Sequence, residues 1–489
     1  MRGARVPLLL IIFMAFALRV IGLTAQSLWR DEVDAIRFAA RDLPALLATF
    51  RRSGENGPLY FLFLHYWLPL FPEQGRAAAA PAGDYALRFF SVLPGVAAVP
   101  LAAALARRLF SPVVGLLTAL LVATAPYLVW YSQEGKMYAL VTALALAALL
   151  ALTEALRRGG AWRWLLVWAF VTTTAYVHIM ALLLVPVGIV WFLLAWPRAR
   201  DRWVGGLTTL AGLTLPYIPL ALWQVRLLFW PRFSPGFPYV PLSDMVPLLV
   251  AAFSRGILPA SEWTLFPFVF AGLSGLTLKG AEARDGKGGR GWRAVAALVA
   301  WLALPTVGLW LISLRAPLFT ERYLIWTVPA FLILSARGLV SVWDRSRWAC
   351  VIALVALLLL NGEALWKQAV RPIKPDFRAA AAFVAARRQP DELVVFLIPY
   401  VRFTFAHYYG DPAPWGDAPF TNGGLSAEEV GARLARLTMG YPAAWLIESE
   451  GEMWDRRGLV AAWLSEHGQV DVRGEFTGVR VARYALPRR

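Results

Sequence analysis

The sequence predicts a multi-pass α-helical membrane protein with a C-terminal α/β domain, and three observations predict it. Hydrophobic residues make up 59% of the 489 and charged residues only 16%, with a mean hydropathy of +0.56; an ordinary soluble domain carries about 25% charge. Several apolar runs reach the roughly 20 residues that a helix needs to cross a bilayer. Beyond residue 371 the chain changes character: 14 Lys/Arg there balance 14 Asp/Glu, so the whole formal charge of +17 belongs to residues 1–371.

The elements follow in order. Met1-Arg2-Gly3-Ala4-Arg5 and the apolar run to Leu23 have the outline of a signal peptide, but no small-x-small cleavage site follows and Arg19 interrupts the run. A retained first helix is expected. Short basic connections at Arg107-Arg108, at Arg157-Arg158 with Arg163, at Arg198/Arg200/Arg202, at 279–293 and at 337–347 belong on the cytoplasmic side with Arg2 and Arg5. They divide the membrane half into about eleven spans: 7–24, 86–106, 113–131, 136–156, 162–177, 179–196, 203–222, 264–278, 292–313, 322–340 and 347–366. An odd number puts the N-terminus inside and the tail outside. The basic half needs no nucleic-acid partner, since Lys and Arg in cytoplasmic loops hold topology. Cys350, the sole cysteine, excludes an intrachain disulfide.

Two domains result: residues 1–371, with a first outer loop over about 25–85, and a soluble extracytoplasmic domain over 372–489. Within the loop, 58–67 suits a helix lying in the interface with aromatics at headgroup level. In the tail, 377–388, 426–437 and 455–467 read as helices and 392–398 and 443–447 as strands. Residues 470–486 alternate like a strand, with an interruption at Gly474. That alternation is an α/β pattern. It contains no nucleotide loop, metal spacing or triad, so a lid or acceptor-docking role is expected of it.

This topology gathers the ionisable groups on the outer face: Asp31, Glu32, Asp34, Glu55, Arg88, Glu134, Lys136, His178, Glu321 and Arg322. Acid immediately after a membrane exit is costly unless solvated, paired or used. Asp31 has a simpler reading as a helix cap before the amphipathic stretch 33–50, and Glu134 as the ion-pair partner of Lys136. A transferase at a membrane surface needs a carboxylate to take a proton from an acceptor and cations to hold a departing phosphate. Asp31, with Glu32 beside it, and Glu134 are the catalytic candidates. Arg88, Lys136 and Arg322 are the candidates for donor phosphate.

In order along the chain stand Leu28-Trp29-Arg30-Asp31-Glu32, Gly57-Pro58-Leu59-Tyr60 and Leu87-Arg88-Phe89-Phe90-Ser91. Then come Tyr131-Ser132-Gln133-Glu134-Gly135-Lys136-Met137-Tyr138, Tyr176-Val177-His178, Glu321-Arg322-Tyr323-Leu324, and Lys374-Pro375-Asp376-Phe377-Arg378. In this order and on one expected face, they resemble the GT-C glycosyltransferases, specifically the bacterial branch similar to protein O-mannosyltransferases and aminoarabinose transferases. The resemblance implies that Asp31 engages the acceptor, that Glu134 lies near the sugar or phosphate, and that Arg88, Lys136 and Arg322 hold the donor phosphate. Tyr60, Tyr138, His178 and Tyr323 become candidates for the substrate site. Two departures stand out. Lys136 replaces the usual arginine and cannot grip phosphate bidentately, and Gly57 replaces the first proline of Pro-Pro-Leu-Tyr.

The expected activity is inverting transfer of one sugar from a polyprenyl-phosphate donor to a protein, lipid or glycan acceptor, at the outer face of the cytoplasmic membrane. The rival is a transporter or flippase of a lipid-linked sugar. Transporters concentrate polar residues near the midplane of internal repeats, whereas these acids gather at one face and no repeat is evident. No cofactor is called for with certainty; a carboxylate pair serves with or without a divalent cation, and no His/Cys spacing decides between them.

Overall fold

The computed structural model describes residues 5–49, 56–71, 81–229, 237–277, 288–410 and 414–487. Glu55 and most of the 279–293 connection lie outside these. The chain divides into two compact units, one comprising 1–21, 41–66 and 88–370, the other 22–40, 67–87 and 371–489. The second unit thus takes two stretches of the first loop together with the tail.

The first unit is helical. Its helices are α1 (Arg5–Val20), α3 (Leu43–Ala48), most of α4 (Pro58–Trp67) and of α5 (Pro81–Leu109), α6 (Pro112–Thr124), α7 (Pro126–Ser132), α8 (Tyr138–Arg158) and α9 (Ala161–Val177). There follow α10 (Leu184–Ala199), α11 (Trp203–Phe229), α12 (Leu242–Arg255), α13 (Phe266–Leu276), α14 (Gly288–Ser313), α15 (Val328–Trp343) and α16 (Arg347–Val370). Helix α2 (Arg30–Ala39) belongs to the second unit. Among the described residues six helical stretches are long and apolar enough to cross a membrane, or seven if one bent pair is a single span.

That pair corrects the expected continuous span 113–131: α6 and α7 meet at a 58° bend. The cause is local. Pro126 has no N–H to give the Val122 carbonyl four residues back, and Arg19 supplies the missing donors. Fully buried, Arg19 donates to the carbonyls of Val122 (3.2 Å), Ala123 (3.0 Å) and Ala15 (3.1 Å) and to Ser132 Oγ (3.2 Å). The arginine that interrupts the first apolar run therefore braces a helix break. Helix α12 falls between the expected spans 203–222 and 264–278.

In the second unit a mixed sheet has the order β2-β1-β3-β5-β4, from β1 (Leu393–Phe396), β2 (Trp415–Asp417), β3 (Ala443–Glu448), β4 (Gln469–Phe476) and β5 (Val479–Ala485). Strands β1 and β2, and β1 and β3, run parallel; β5 pairs antiparallel with β3 and β4. Helices α17 (Phe377–Ala385), α18 (Val401–Tyr409), α19 (Ala427–Thr438) and α20 (Leu459–His467) accompany it. Leu393, Val395, Leu446, Val430, Leu434 and Leu464 are among the core residues. Ser426 and Glu429 form a capping box on α19. The final strand-like stretch is a hairpin turning at Gly478 (φ +64°), not at Gly474, which stays in the ladder opposite Val481.

Candidate active site

The first unit brings most of the predicted residues of the membrane half to one buried cluster. Glu134 and Lys136 lie in the turn between α7 and α8, where Lys136 N–H donates to the Glu134 carbonyl at 2.7 Å. Two neighbours hold that turn. Ser91, one helical turn beyond the buried Arg88 on α5, donates its hydroxyl to the Lys136 carbonyl at 3.1 Å. Gln133 donates to the carbonyls of Leu18 (3.2 Å) and Ile21 (3.0 Å). The Lys136 ammonium lies 5.9 Å from the centroid of the Phe61 ring, and Arg322, in the 3-10 turn Glu321–Thr327, lies 5.8 Å from that of Tyr138.

Aromatic rings connect these charges. Tyr131 and Tyr138 pack edge to face with centroids 5.0 Å apart, Tyr138 and His178 lie at 6.0 Å, and His178 and Tyr323 at 5.1 Å. Tyr60, fully buried on α4, packs against Phe90 at 5.7 Å. His178 sits in the connection between α9 and the following 3-10 turn, 1% exposed, with neither ring nitrogen hydrogen-bonded among the described residues. Burial first, and then the charges of Arg322 and Lys136, push its imidazole down to about 3. It is a neutral ring with both nitrogens open to a ligand, and buried polar groups of that kind are rare without one.

Gly57 explains one departure from the motif. Its φ is +82°, and a Cβ there would fall 2.9 Å from the Val177 carbonyl oxygen and 2.5 Å from Met137. Proline cannot adopt that φ. The glycine lets α4 start against the turn that carries Lys136 and the strand-like end of α9, where Asn56 Oδ1 accepts from Ile179 N–H at 2.9 Å.

Asp31 and Glu32 lie in the second unit, on the first turn of α2, and their environments differ. The Asp31 side chain is 17% exposed and 3.7 Å from Arg30 Nε. Glu32 is 0% exposed and accepts from Lys374 Nζ at 2.8 Å. Adjacent residues on a helix point about 100° apart, so the two acids meet different surroundings, Glu32 fully buried and Asp31 part-buried. Asp34 pairs with Arg37 at 3.2 Å.

A polar cluster that the sequence reading missed lies in the same unit. Asp84, 1% exposed, accepts from Arg378 (2.9 Å) and from the Tyr408 hydroxyl (2.8 Å), and lies 3.1 Å from His407 Nε2. The signal was an acid in the first turn of an otherwise apolar helix, which also reads as an ordinary helix-dipole acid. Among the described residues no three His, Cys, Asp or Glu side chains are grouped to hold a metal ion.

Comparison with known proteins agrees with the motif reading. The family model for dolichyl-phosphate-mannose-protein mannosyltransferase matches residues 78–223. The fold is similar to that of ArnT from Cupriavidus metallidurans, both in the apo state (TM-score 0.60) and bound to undecaprenyl phosphate (0.59), each at 13% identity over 97% of both chains. It is also similar to the Archaeoglobus fulgidus oligosaccharyltransferase in complex with Zn and sulfate (TM-score 0.57, 13% identity, 98% of this chain and 73% of that one). No curated protein matches the sequence. The resemblance to GT-C glycosyltransferases is borne out.

Proposed function

We propose that this chain is an inverting glycosyltransferase that takes one sugar from a polyprenyl phosphate and passes it to an acceptor at the outer face of the cytoplasmic membrane. The observation that carries this reading is the buried cluster of the first unit, where cations, tyrosines and a neutral histidine with no hydrogen bond to its ring nitrogens among the described residues share one interior. A phosphate needs the cations, and a sugar ring suits the aromatic faces and the open imidazole. The mannosyltransferase family match within 78–223 supports a prenyl-phosphate donor. So do the ArnT structure bound to undecaprenyl phosphate and the archaeal oligosaccharyltransferase AglB in complex with a dolichol-phosphate.

The chemistry follows from the residue types. An acceptor O–H attacks the anomeric carbon from the face opposite the phosphate, so a C–O bond to the acceptor forms while the C–O bond to phosphate breaks. Asp31 takes the acceptor proton. Arg88, Lys136 and Arg322 balance the charge that builds on the departing polyprenyl phosphate. His178 hydrogen-bonds the sugar or phosphate as a neutral group. Tyr60, Tyr138 and Tyr323 shape the donor site, and Glu134 sets the turn that presents Lys136.

The test is an assay of the purified full chain against a panel of polyprenyl-phosphate sugars, with free polyprenyl phosphate as the readout. Release that depends on both an activated sugar and an added acceptor is expected. Movement of intact donor across a vesicle membrane, with no release, overturns the reading in favour of a flippase.

A further inference from the structure

Residues 24–32 carry Asp31, and an unusual number of polar contacts hold this segment to chain almost 350 residues away in the same unit. Gln26 Oε1 accepts from the backbone N–H groups of Ile373 (2.9 Å) and Lys374 (2.8 Å), and its Nε2 donates to the Arg371 carbonyl at 3.2 Å. Ser27 Oγ donates to the Pro375 carbonyl at 2.6 Å. Arg378 donates to the Thr24 carbonyl at 3.2 Å. Glu32 accepts from Lys374 Nζ, with both side chains at least nine-tenths buried.

The central connection is Tyr408. Its hydroxyl accepts from the Leu28 backbone N–H at 2.6 Å and donates to Asp84 Oδ2 at 2.8 Å, at a buried position on α18. Asp84 in turn is gripped by Arg378, the residue that also holds Thr24. A single hydroxyl thus joins the backbone three residues before Asp31 to a buried carboxylate that cannot move without breaking an ion pair. Around Asp31 itself, Arg30 stacks over the Tyr400 ring at 4.4 Å and Arg37 over that of Phe403 at 3.3 Å, fixing α2 against α18 along its length.

A helix of ten residues such as α2 draws its stability from tertiary contacts, which apolar packing alone supplies without fixing the backbone that leads into it. Connecting loops are the mobile parts of most folds, and here the Thr24 carbonyl, the Leu28 N–H and the side chains of Gln26 and Ser27 are each bonded from the tail. Holding a reacting group within a fraction of an ångström is what such supporting bonds do at catalytic sites, and a misplacement of about 1 Å costs up to about 100-fold in rate.

We infer that Tyr408, Asp84, Arg378, Gln26 and the Glu32–Lys374 pair are positioning residues for Asp31, so that the tail takes part in the transfer reaction as the support of its base. This inference rests on the reading of Asp31 as the group that engages the acceptor. It assigns Glu32 to support and leaves proton transfer to Asp31 alone.

The experiment compares Tyr408→Phe, Gln26→Ala, Gln26→Glu and Asp31→Asn in the purified full chain. It measures kcat and the donor KM together with amide hydrogen exchange over 27–33. Tyr408→Phe removes one oxygen and keeps the ring. It is expected to speed exchange at Leu28 and the first turn of α2, and to lower kcat about tenfold with the donor KM within about twofold of wild type. Gln26→Ala is expected to act the same way, while Gln26→Glu, which keeps the acceptor oxygen but loses the Nε2 donor to Arg371, restores part of kcat. If Tyr408→Phe fails to fold, the Gln26 pair carries the test alone. Faster exchange with unchanged kcat overturns the inference, because the segment then moves without consequence. So does unchanged exchange, because the bonds then hold nothing. Loss of transfer in Asp31→Asn with full kcat in the other variants removes the positioning claim and leaves the base in place; full transfer in Asp31→Asn removes both.

Discussion

The Asp31 segment and the Lys136 cluster solve opposite problems with the same residue types. Around Asp31 the polar groups named above are matched to protein partners: Glu32 to Lys374, Asp84 to Arg378 and Tyr408, and Gln26 to three backbone groups. In the interior of the first unit His178 has two buried ring nitrogens without a hydrogen-bond partner among the described residues, and Lys136 and Arg322 lie over aromatic rings. Matched groups give rigidity; open buried groups are costly and persist where a ligand completes them. The first region is built to hold a side chain still and the second to receive something.

The largest effect that tests this contrast is at the adjacent acids. The simpler reading of Asp31 as a helix cap does not hold, because the N-cap of α2 is Trp29 and Asp31 lies inside the first turn; Asp31→Asn therefore keeps size and leaves the cap untouched, but removes basicity. Transfer is expected to fall at least about 100-fold, the lower end of what a general base supplies, with folding and donor binding intact. Glu32→Gln is expected to act mainly on stability, with only the smaller loss of rate that a positioning residue gives, because the buried Lys374 ammonium loses its Glu32 carboxylate, and breaking a buried pair costs about 3–5 kcal/mol. Rate assays beside thermal unfolding in detergent separate the two. If Asp31→Asn transfers within threefold of wild type, or if Glu32→Gln melts like wild type, the division between working acid and supporting acid fails.

A smaller effect is expected at Lys136. Lysine brings charge without the planar fork of arginine, so Lys136→Met is expected to raise the donor KM about tenfold, the worth of one charge-assisted hydrogen bond, while Lys136→Arg holds or lowers it. Steady-state kinetics on the donor that the assay identifies make the comparison. A Met variant with wild-type KM would make Lys136 a packing residue of the turn and place the phosphate elsewhere.

The two regions also differ in how far the sequence disclosed them. Lys136, Arg322 and His178 were legible because each stands at the end of an apolar run, where an ionisable group is conspicuous. The support of Asp31 was not. Glu32 and Lys374 are 342 residues apart, and no local pattern links them; Asp84 falls at the end of the expected outer loop 25–85, and Tyr408 in a stretch given no element. The same limit shaped the fold. Apolar content continues unbroken through Ala125-Pro126, so hydropathy reads one span where the missing N–H makes two helices. In the tail, Gly474 and Gly478 look alike in sequence, and only the ladder shows that the first pairs with Val481 while the second carries the positive φ of the turn. The short helix α18 begins at Val401, after an N-cap residue, Tyr400, whose side chain makes no cap bond to announce it.

The smallest effect lies in the sheet that carries the tail, and it is a matter of pH. Glu392, 1% exposed before β1, accepts from Trp445 Nε1 at 2.7 Å, from Gln389 N–H at 3.1 Å and from Arg483 Nε at 3.1 Å. Burial alone would raise its carboxyl, but the bonds from Arg483 and Trp445 outweigh it and hold the group below its ordinary value. A carboxylate depressed in the folded state contributes stability that is fully present above its unfolded pKa of about 4.3. That contribution is lost as the pH falls through the lower folded value. Hydrogen exchange at the β3 amides in the full chain is therefore expected to accelerate below about pH 4, beyond the intrinsic pH dependence of exchange. Glu392→Gln should flatten that acceleration. Because it leaves Arg483 with Asp471 as its remaining acid partner, it should also cost about 1–3 kcal/mol of local stability at neutral pH. A variant that keeps the wild-type acid response would mean that another carboxylate governs the sheet. Glu448, beside Arg480, is excluded from that part on sign: burial, opposed by the arginine, raises it, and a raised carboxyl stabilises the fold as the pH falls.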